Sequence, residues 1–121
     1  MNYEDLRIYQ LAKKLREELQ QELAKIPHYW RIREVDQAVR SSCSATSNIV
    51  EGHGRRFHPR DFCRFLVIAM ASSDETQDHL IALQIRHYLS KEKSDYFIKK
   101  FRTLSIQILN FINCLRKRYR L

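Results

Sequence analysis

Apolar side chains recur every three or four residues in four separate segments of the chain, which is the spacing of one face of an α-helix. The four stripes cover residues 8–26, 35–50, 62–83 and 97–115. No segment alternates apolar and polar residues over the length of a strand, so no β-strand is predicted. The pattern therefore predicts an all-α protein with four amphipathic helices.

Proline, glycine and serine mark the expected helix ends. Pro27 is expected to close the first helix, because the residue before a proline avoids helical geometry. Gly52 and Gly54 are expected to stop the second helix. Pro59 suits the first turn of the third helix, and the fourth is expected to begin near Ser90. The links between these helices are short, so consecutive helices are predicted to be antiparallel.

The chain of 121 residues reads as a single domain, residues 1–121, with no linker, internal repeat or low-complexity tract. A chain of this length buries enough surface to fold without a disulfide or a metal. Separate long coiled coils are the main structural alternative, but they do not need turns at Pro27 and at residues 52–54. The predicted architecture is an antiparallel up-down-up-down four-helix bundle.

Charge adds a functional expectation, because the net charge is +8 and the isoelectric point about 9.7. Residues 91–121 hold nine basic and two acidic residues, a net charge of +7. In an up-down bundle the second helix ends, the third begins and the fourth ends at the same side of the molecule. The cations predicted to meet there, called the basic pole below, are Arg55, Arg56, Arg60, Arg64, Arg116, Lys117, Arg118 and Arg120.

Aromatic and imidazole rings alternate with these cations at His53, Phe57, His58 and Tyr119. Arginine forks match phosphate groups, and rings stack on unpaired bases. The combination predicts binding of RNA or DNA through the basic pole. The same cations have an interpretation that needs no partner, because positive charge stabilises a helix C-terminus and a charged tail is often only a solvated end.

Four polar residues at helical spacing form a second candidate group. Asn48 and Glu51 are one turn apart on the second helix, and Ser72 and Glu75 are one turn apart on the third. These four are predicted to form one structural polar cluster, a hydrogen-bond network that fixes register or oligomeric state. A ligand-binding or catalytic site is the alternative interpretation.

Three cysteines, Cys43, Cys63 and Cys114, contain no CxxC pair and are odd in number, which predicts reduced and mostly packed thiols in the cytoplasm. No segment is apolar enough to cross a membrane, and the N-terminal residues do not resemble a signal peptide. Glu75 and His79 lack the second carboxylate–histidine pair of a di-metal bundle, so no metal, cofactor or small-molecule substrate is expected.

Enzymatic activity is not expected either. Some small four-helix ribonucleases carry an arginine at a fixed distance before a histidine, and none of the five histidines has an arginine at that spacing. No nucleophile–histidine signature or phosphate-binding glycine loop is present. A small ribonuclease remains the enzymatic alternative, and it predicts RNA cleavage that depends on a single histidine.

The segment SNIVEGHGR at residues 47–55 carries a family resemblance. Together with the opening YEDLRIYQ at residues 3–10, it resembles the four-helix-bundle proteins encoded in intervening sequences of bacterial 23S ribosomal RNA genes. Thr46 stands where that family usually has a proline, so the second helix is expected to be straighter here. The chain is also similar to the accessory protein of diversity-generating retroelements.

The resemblance implies a four-helix fold and a ring-shaped homo-oligomer, with five subunits expected. It also implies nucleic-acid binding beside a reverse transcriptase for the retroelement relatives. We therefore expect a non-enzymatic, homo-oligomeric bundle that binds RNA or DNA. A scaffold for an acidic protein or a reverse transcriptase is the alternative.

Overall fold

Four α-helices contain most of the residues in a computed structural model of the chain, which describes residues 2–30 and 32–121. The helices are α1 (Arg7–Leu23), α2 (Arg33–Gly54), α3 (Pro59–Ile85) and α4 (Lys91–Tyr119). Short 3-10 turns at Tyr3–Asp5 and His28–Trp30 precede α1 and α2. The described residues contain no strand, so the predicted all-α, four-helix class is confirmed.

Local chemistry explains most of the helix ends. Pro59 opens α3, and the Ser90 hydroxyl accepts the N–H of Lys93 at 3.2 Å to cap α4. α1 ends at Leu23, earlier than Pro27 predicts. The turn after α3 places His87 in the left-handed region at φ 63°. Beyond that turn the N–H of Tyr88 reaches back to the oxygen of Leu83 at 2.9 Å, which ends the helix without a glycine.

The inward stripes of all four helices meet in one hydrophobic core, as the periodicity predicts. α1 contributes an unbroken row of buried residues, and α4 contributes two phenylalanines and several branched aliphatic side chains. Fully buried side chains of this size each contribute about 1.5–3 kcal/mol relative to an exposed position. The largest are Phe101, Leu15, Leu19, Leu23, Ile49 and Leu66.

Side-chain pairs between neighbouring helices establish their directions. As the residue number increases along one helix, the number of the residue that it contacts on the next helix decreases. This is the relation between antiparallel neighbours. The pairs are Ser44 with Ser72, Ser41 with Thr76, Phe62 with Phe111 and Leu80 with Ser94. α1 and α4 are antiparallel too, because Glu18 accepts from Tyr96 and Glu22 pairs with Lys93.

Gly52 has a different role from the one predicted. It lies inside α2, buried, and the helix continues to Gly54 with neither glycine at positive φ. A Cβ at position 52 lies 3.1 Å from the Cβ of Phe65 and 3.3 Å from the oxygen of Phe62. Gly52 therefore lets α2 and α3 approach closely where they cross.

α2 is continuous from Arg33 to Gly54, and the Thr46 hydroxyl donates to the Ser42 backbone oxygen at 3.2 Å within it.

Among the helices of the described residues, none combines the length and the apolar character that a membrane span requires.

Candidate nucleic-acid interface

The link between α2 and α3, residues 55–58, carries the first two cations of the basic pole. Three backbone hydrogen bonds of 2.9–3.1 Å hold it tightly, from the N–H groups of Arg55, Arg56 and His58 to the oxygens of Gly52, His53 and Arg55. The link is therefore a compact turn, and its side chains project from a defined backbone.

Phe65 supports two arginines of the basic pole. The Arg55 guanidinium lies 4.8 Å from the ring centroid and that of Arg64 lies 5.9 Å from it. Cation–π contacts of this kind hold a guanidinium in place while its outer edge stays in water. The periodicity places Phe65 on the inner face of α3, and its second role as a support for Arg55 depends on the packing of α2 against α3. Sequence reasoning missed that role.

Two arginines of the basic pole are already paired with carboxylates. Arg55 donates to one oxygen of Glu51 through Nε and Nη2, at 3.1 and 3.0 Å. Arg64 donates to Asp61 at 2.9 Å. These exposed pairs are weak individually, but each places a negative charge beside a cation that was predicted to be available.

The end of α4 reaches the start of α3, as the up-down topology predicts. Arg60, Arg64 and Arg116 line one open groove of about 560 Å³ together with Cys63, Val67 and Leu121. Arg116 comes from the last turn of α4, whereas Arg60 and Arg64 come from the first turns of α3. Three guanidinium groups from two helices therefore converge on one surface.

A second groove adjoins the first through Arg60. It is lined by His58, Pro59, Arg60, Asp61, Tyr119 and Leu121. Arg120 adopts the left-handed conformation at φ 53°, and the N–H of Leu121 bonds to the Arg116 oxygen at 3.0 Å. This turn folds Leu121 back to line both grooves, a feature that no pattern in the sequence indicated.

The remaining cations lie at the same side of the molecule without lining these grooves. Arg56 donates to the His53 oxygen at 3.1 Å, and Arg118 stacks on Tyr119 at 5.5 Å. Across residues 2–30 and 32–121, six cations of the basic pole have no carboxylate within 4 Å. These six are Arg56, Arg60, Arg116, Lys117, Arg118 and Arg120.

The rings near the basic pole differ in accessibility. His53 is only 6% exposed and packs edge-on against Phe62 at 6.2 Å. Burial lowers the pKa of His53, and the charge of Arg56 lowers it further, which favours the neutral form of this ring. Phe57 is 78% exposed and Tyr119 is 44% exposed. The surface thus presents Phe57, His58 and Tyr119, whereas His53 belongs to the interior.

The four residues predicted as one polar cluster are divided between two environments. Asn48 donates to the oxygen and hydroxyl of Ser44 at 2.9 and 3.1 Å, and the Ser44 hydroxyl bonds to that of Ser72 at 2.9 Å. The exposed carboxylates of Glu51 and Glu75 bond instead to Arg55 and His79, each four residues later in the chain.

Other hydroxyls continue the polar contacts between helices. Ser41 and Thr76 are 2.6 Å apart, and Ser73 donates to the Phe101 oxygen at 2.9 Å. Ser105 donates to Ser73 and to Asp74 at 2.8 and 2.7 Å. Small hydroxyl residues therefore connect α2, α3 and α4. Ser73 and Thr76 carried a signal in their helical spacing, but only the packing shows which side chains they contact.

The three cysteines differ in how deeply they are buried. Cys63 is buried and Cys43 is half-buried, as the prediction of mostly packed thiols requires, whereas Cys114 is exposed. Burial raises the pKa of the Cys63 thiol, with the charge of Arg116 acting in the opposite direction. Among the described residues, no group of three or more His, Cys, Asp or Glu side chains lies close enough together to hold a metal ion.

Comparison with known proteins agrees with the fold. The crystal structure at 1.70 Å of a protein of unknown function from the S23 ribosomal protein family of Bacteroides thetaiotaomicron VPI-5482 matches with a TM-score of 0.79 at 18% sequence identity. The match covers 87% of this chain and 97% of that one, and it shows a shared fold. No curated protein matches the chain.

The family model described as "23S rRNA-intervening sequence protein" matches residues 4–110, which is most of the chain. Two segments carry the resemblance, residues 3–10 and residues 47–55. The matched region contains all of the second and all of the first except residue 3. The chain therefore belongs to the family of 23S rRNA-intervening sequence proteins.

Proposed function

We propose that this protein is a non-enzymatic nucleic-acid-binding bundle whose basic pole neutralises backbone phosphates. The observation that carries the proposal is the convergence of Arg60, Arg64 and Arg116 on one groove. Guanidinium groups bind phosphate oxygens in a forked geometry, and their positive field attracts a polyanion from a distance. Four further cations of the basic pole without a carboxylate partner extend this field around the groove, namely Arg56, Lys117, Arg118 and Arg120.

Affinity from phosphate neutralisation requires a steep dependence on salt. Binding of a labelled RNA strand, followed by fluorescence anisotropy, is expected to weaken roughly 100-fold between about 50 and 200 mM salt, because each phosphate contact releases bound counterions. The slope is expected to be similar for strands of unrelated sequence. Absence of binding at the lowest salt contradicts the proposal, and RNA cleavage during the measurement supports a ribonuclease instead.

We further propose that the protein acts as a homo-oligomer, for which the family resemblance suggests a ring of five subunits. Large apolar side chains on the outer surface of α3 and α4 support self-association, because contact with a second subunit would remove their apolar area from water. Ile85 on α3 is 70% exposed, and Ile106 on α4 is 54% exposed. In a ring, the basic poles of all subunits face the same way, and weak phosphate contacts reinforce one another.

Light scattering of the purified protein tests this assembly directly. The expected mass is that of five chains of 14.6 kDa each. Replacing both Ile85 and Ile106 with Ser is expected to shift the mass toward a single chain without loss of helical circular dichroism, because both side chains are exposed. A single-chain mass for the unmodified protein at every concentration rules out the oligomer.

A further inference from the structure

Phe57 is the most exposed large apolar side chain among the described residues, with 78% of its surface in water. A phenylalanine left in water forgoes the stabilisation that its burial provides, so nothing in the folding of this chain accounts for its position. It lies in the compact link 55–58, where the N–H groups of the residues on either side bond to backbone oxygens. The ring is therefore displayed from a well-ordered turn.

One face of the Phe57 ring already has a partner, since the Arg56 guanidinium lies 4.6 Å from its centroid. The described part of the chain places no second ring or cation against it. A phenyl ring has two faces, so the surface not covered by Arg56 is available for stacking. A flat, uncharged aromatic group is the ligand chemistry that this surface fits.

The surroundings of Phe57 identify which aromatic group that is. Arg60 follows three residues later and lines both grooves, and His58 and Tyr119 line one of them with it. A ligand on the ring therefore has Arg56 against the same ring and the grooves lined by Arg60 at the start of the helix that follows. A nucleic-acid strand offers this combination, because each base is a flat ring and each is joined to a phosphate.

We propose that the basic pole selects single-stranded over double-stranded nucleic acid by stacking an unpaired base on Phe57. The inference rests on the proposed nucleic-acid binding and adds the class of strand. In a duplex both faces of every internal base are covered by neighbouring pairs, so the ring gains no contact. A purely electrostatic surface has the opposite preference, because a duplex carries the higher charge density.

The test compares one labelled strand, alone and annealed to its complement, in RNA and DNA forms, by fluorescence anisotropy at fixed salt. The single strand is expected to bind at least about tenfold more tightly than the duplex. Phe57→Ala is expected to lower single-strand affinity about tenfold or more and to leave duplex affinity unchanged. Phe57→Trp is expected to retain single-strand binding. An equal ratio of single-strand to duplex affinity for RNA and for DNA indicates that the base ring, not the sugar, is recognised.

Tyr96→Ala serves as the matched control, because it removes another exposed aromatic ring, which lies near the start of α4, at the opposite end of that helix from the basic pole. It is expected to leave both affinities unchanged. Equal affinity for the two forms, or a Phe57→Ala loss that is the same on duplex, overturns the stacking inference. If either result is found and affinity still falls steeply with salt, the phosphate-binding proposal holds. Absence of binding to either form overturns both.

Stacking also has a spectroscopic signature that affinity alone lacks. Trp30 is the only tryptophan of the chain, so a Trp30→Phe background is free of other indole signal. In that background, the fluorescence of Phe57→Trp is expected to be quenched by a single strand and not by the duplex, because a base in van der Waals contact quenches an indole. Unchanged fluorescence on saturation with single strand contradicts the inference.

Discussion

Replacing Arg60, Arg64 and Arg116 together with Glu is expected to weaken binding of a labelled RNA strand by at least about 100-fold at low salt. These three side chains line one groove, so each substitution removes a charge-assisted hydrogen bond to phosphate and adds a repelling carboxylate. The dependence of the binding constant on salt is expected to become shallower as well. Each lost phosphate contact lowers the slope of log affinity against log salt by about 0.7 for a single strand.

The matched control changes the same amount of charge elsewhere on the chain. Lys99, Lys100 and Arg102 are exposed and lie in the first half of α4, whereas Arg116 lies in its last turn. Replacing all three with Glu alters the net charge equally, so it is expected to lower affinity only modestly through the long-range field. Comparable losses for the two triple variants indicate that only net charge matters and that the groove is not the binding site.

Gly52→Val is expected to destabilise the bundle by about 3 kcal/mol, measured as the free energy of unfolding in urea. A Cβ alone already comes within 3.1–3.3 Å of the Phe65 Cβ, the Phe62 ring and the Phe62 backbone oxygen. Two of these contacts belong to the frame of α3 and not to the end of a flexible side chain. α2 and α3 must therefore separate to admit the valine, which loosens the core around them.

Gly54→Val provides the same substitution two residues away. A Cβ at position 54 meets no atom within 4 Å, and neither glycine is at positive φ. The expected change in unfolding free energy is therefore between zero and a small gain, because glycine is a poor helix former. Equal destabilisation at the two positions contradicts the close approach of α2 and α3 at Gly52 as the cause.

Gly52 also connects the fold to the candidate interface. The helix crossing at Gly52 brings Arg55, three residues later at the start of the link, to within 4.8 Å of the Phe65 ring centroid. Separation of the helices removes that support and changes the position of the link that displays Phe57. Gly52→Val is thus expected to weaken nucleic-acid binding along with stability, whereas Gly54→Val leaves the crossing intact.

Several features of this protein followed directly from local sequence. The apolar stripes specified four helices, Pro59 and Ser90 marked the starts of two of them, and the segment 47–55 carried the family resemblance. The uneven charge of residues 91–121 was visible from counting alone. These signals are readable because a helical face, a cap and a charge run each depend on residues that are neighbours along the chain.

The tertiary structure decided the features that depend on residues from different helices. Packing buried His53, which the sequence had grouped with the accessible rings, and left Phe57 exposed. It paired Ser72 with Ser44, whereas Glu51 bonds to Arg55, four residues later in the chain, and not to the predicted cluster.

The packing of the helices also decided which arginines share a groove. Arg60, Arg64 and Arg116 lie together because α3 and α4 are antiparallel, which brings the last turn of α4 to the start of α3. Periodicity determines which side of a helix faces inward, since that depends on spacing along one segment. It carries no information about how closely two helices approach or how far one slides along the other, because side-chain volumes at the crossing set those distances.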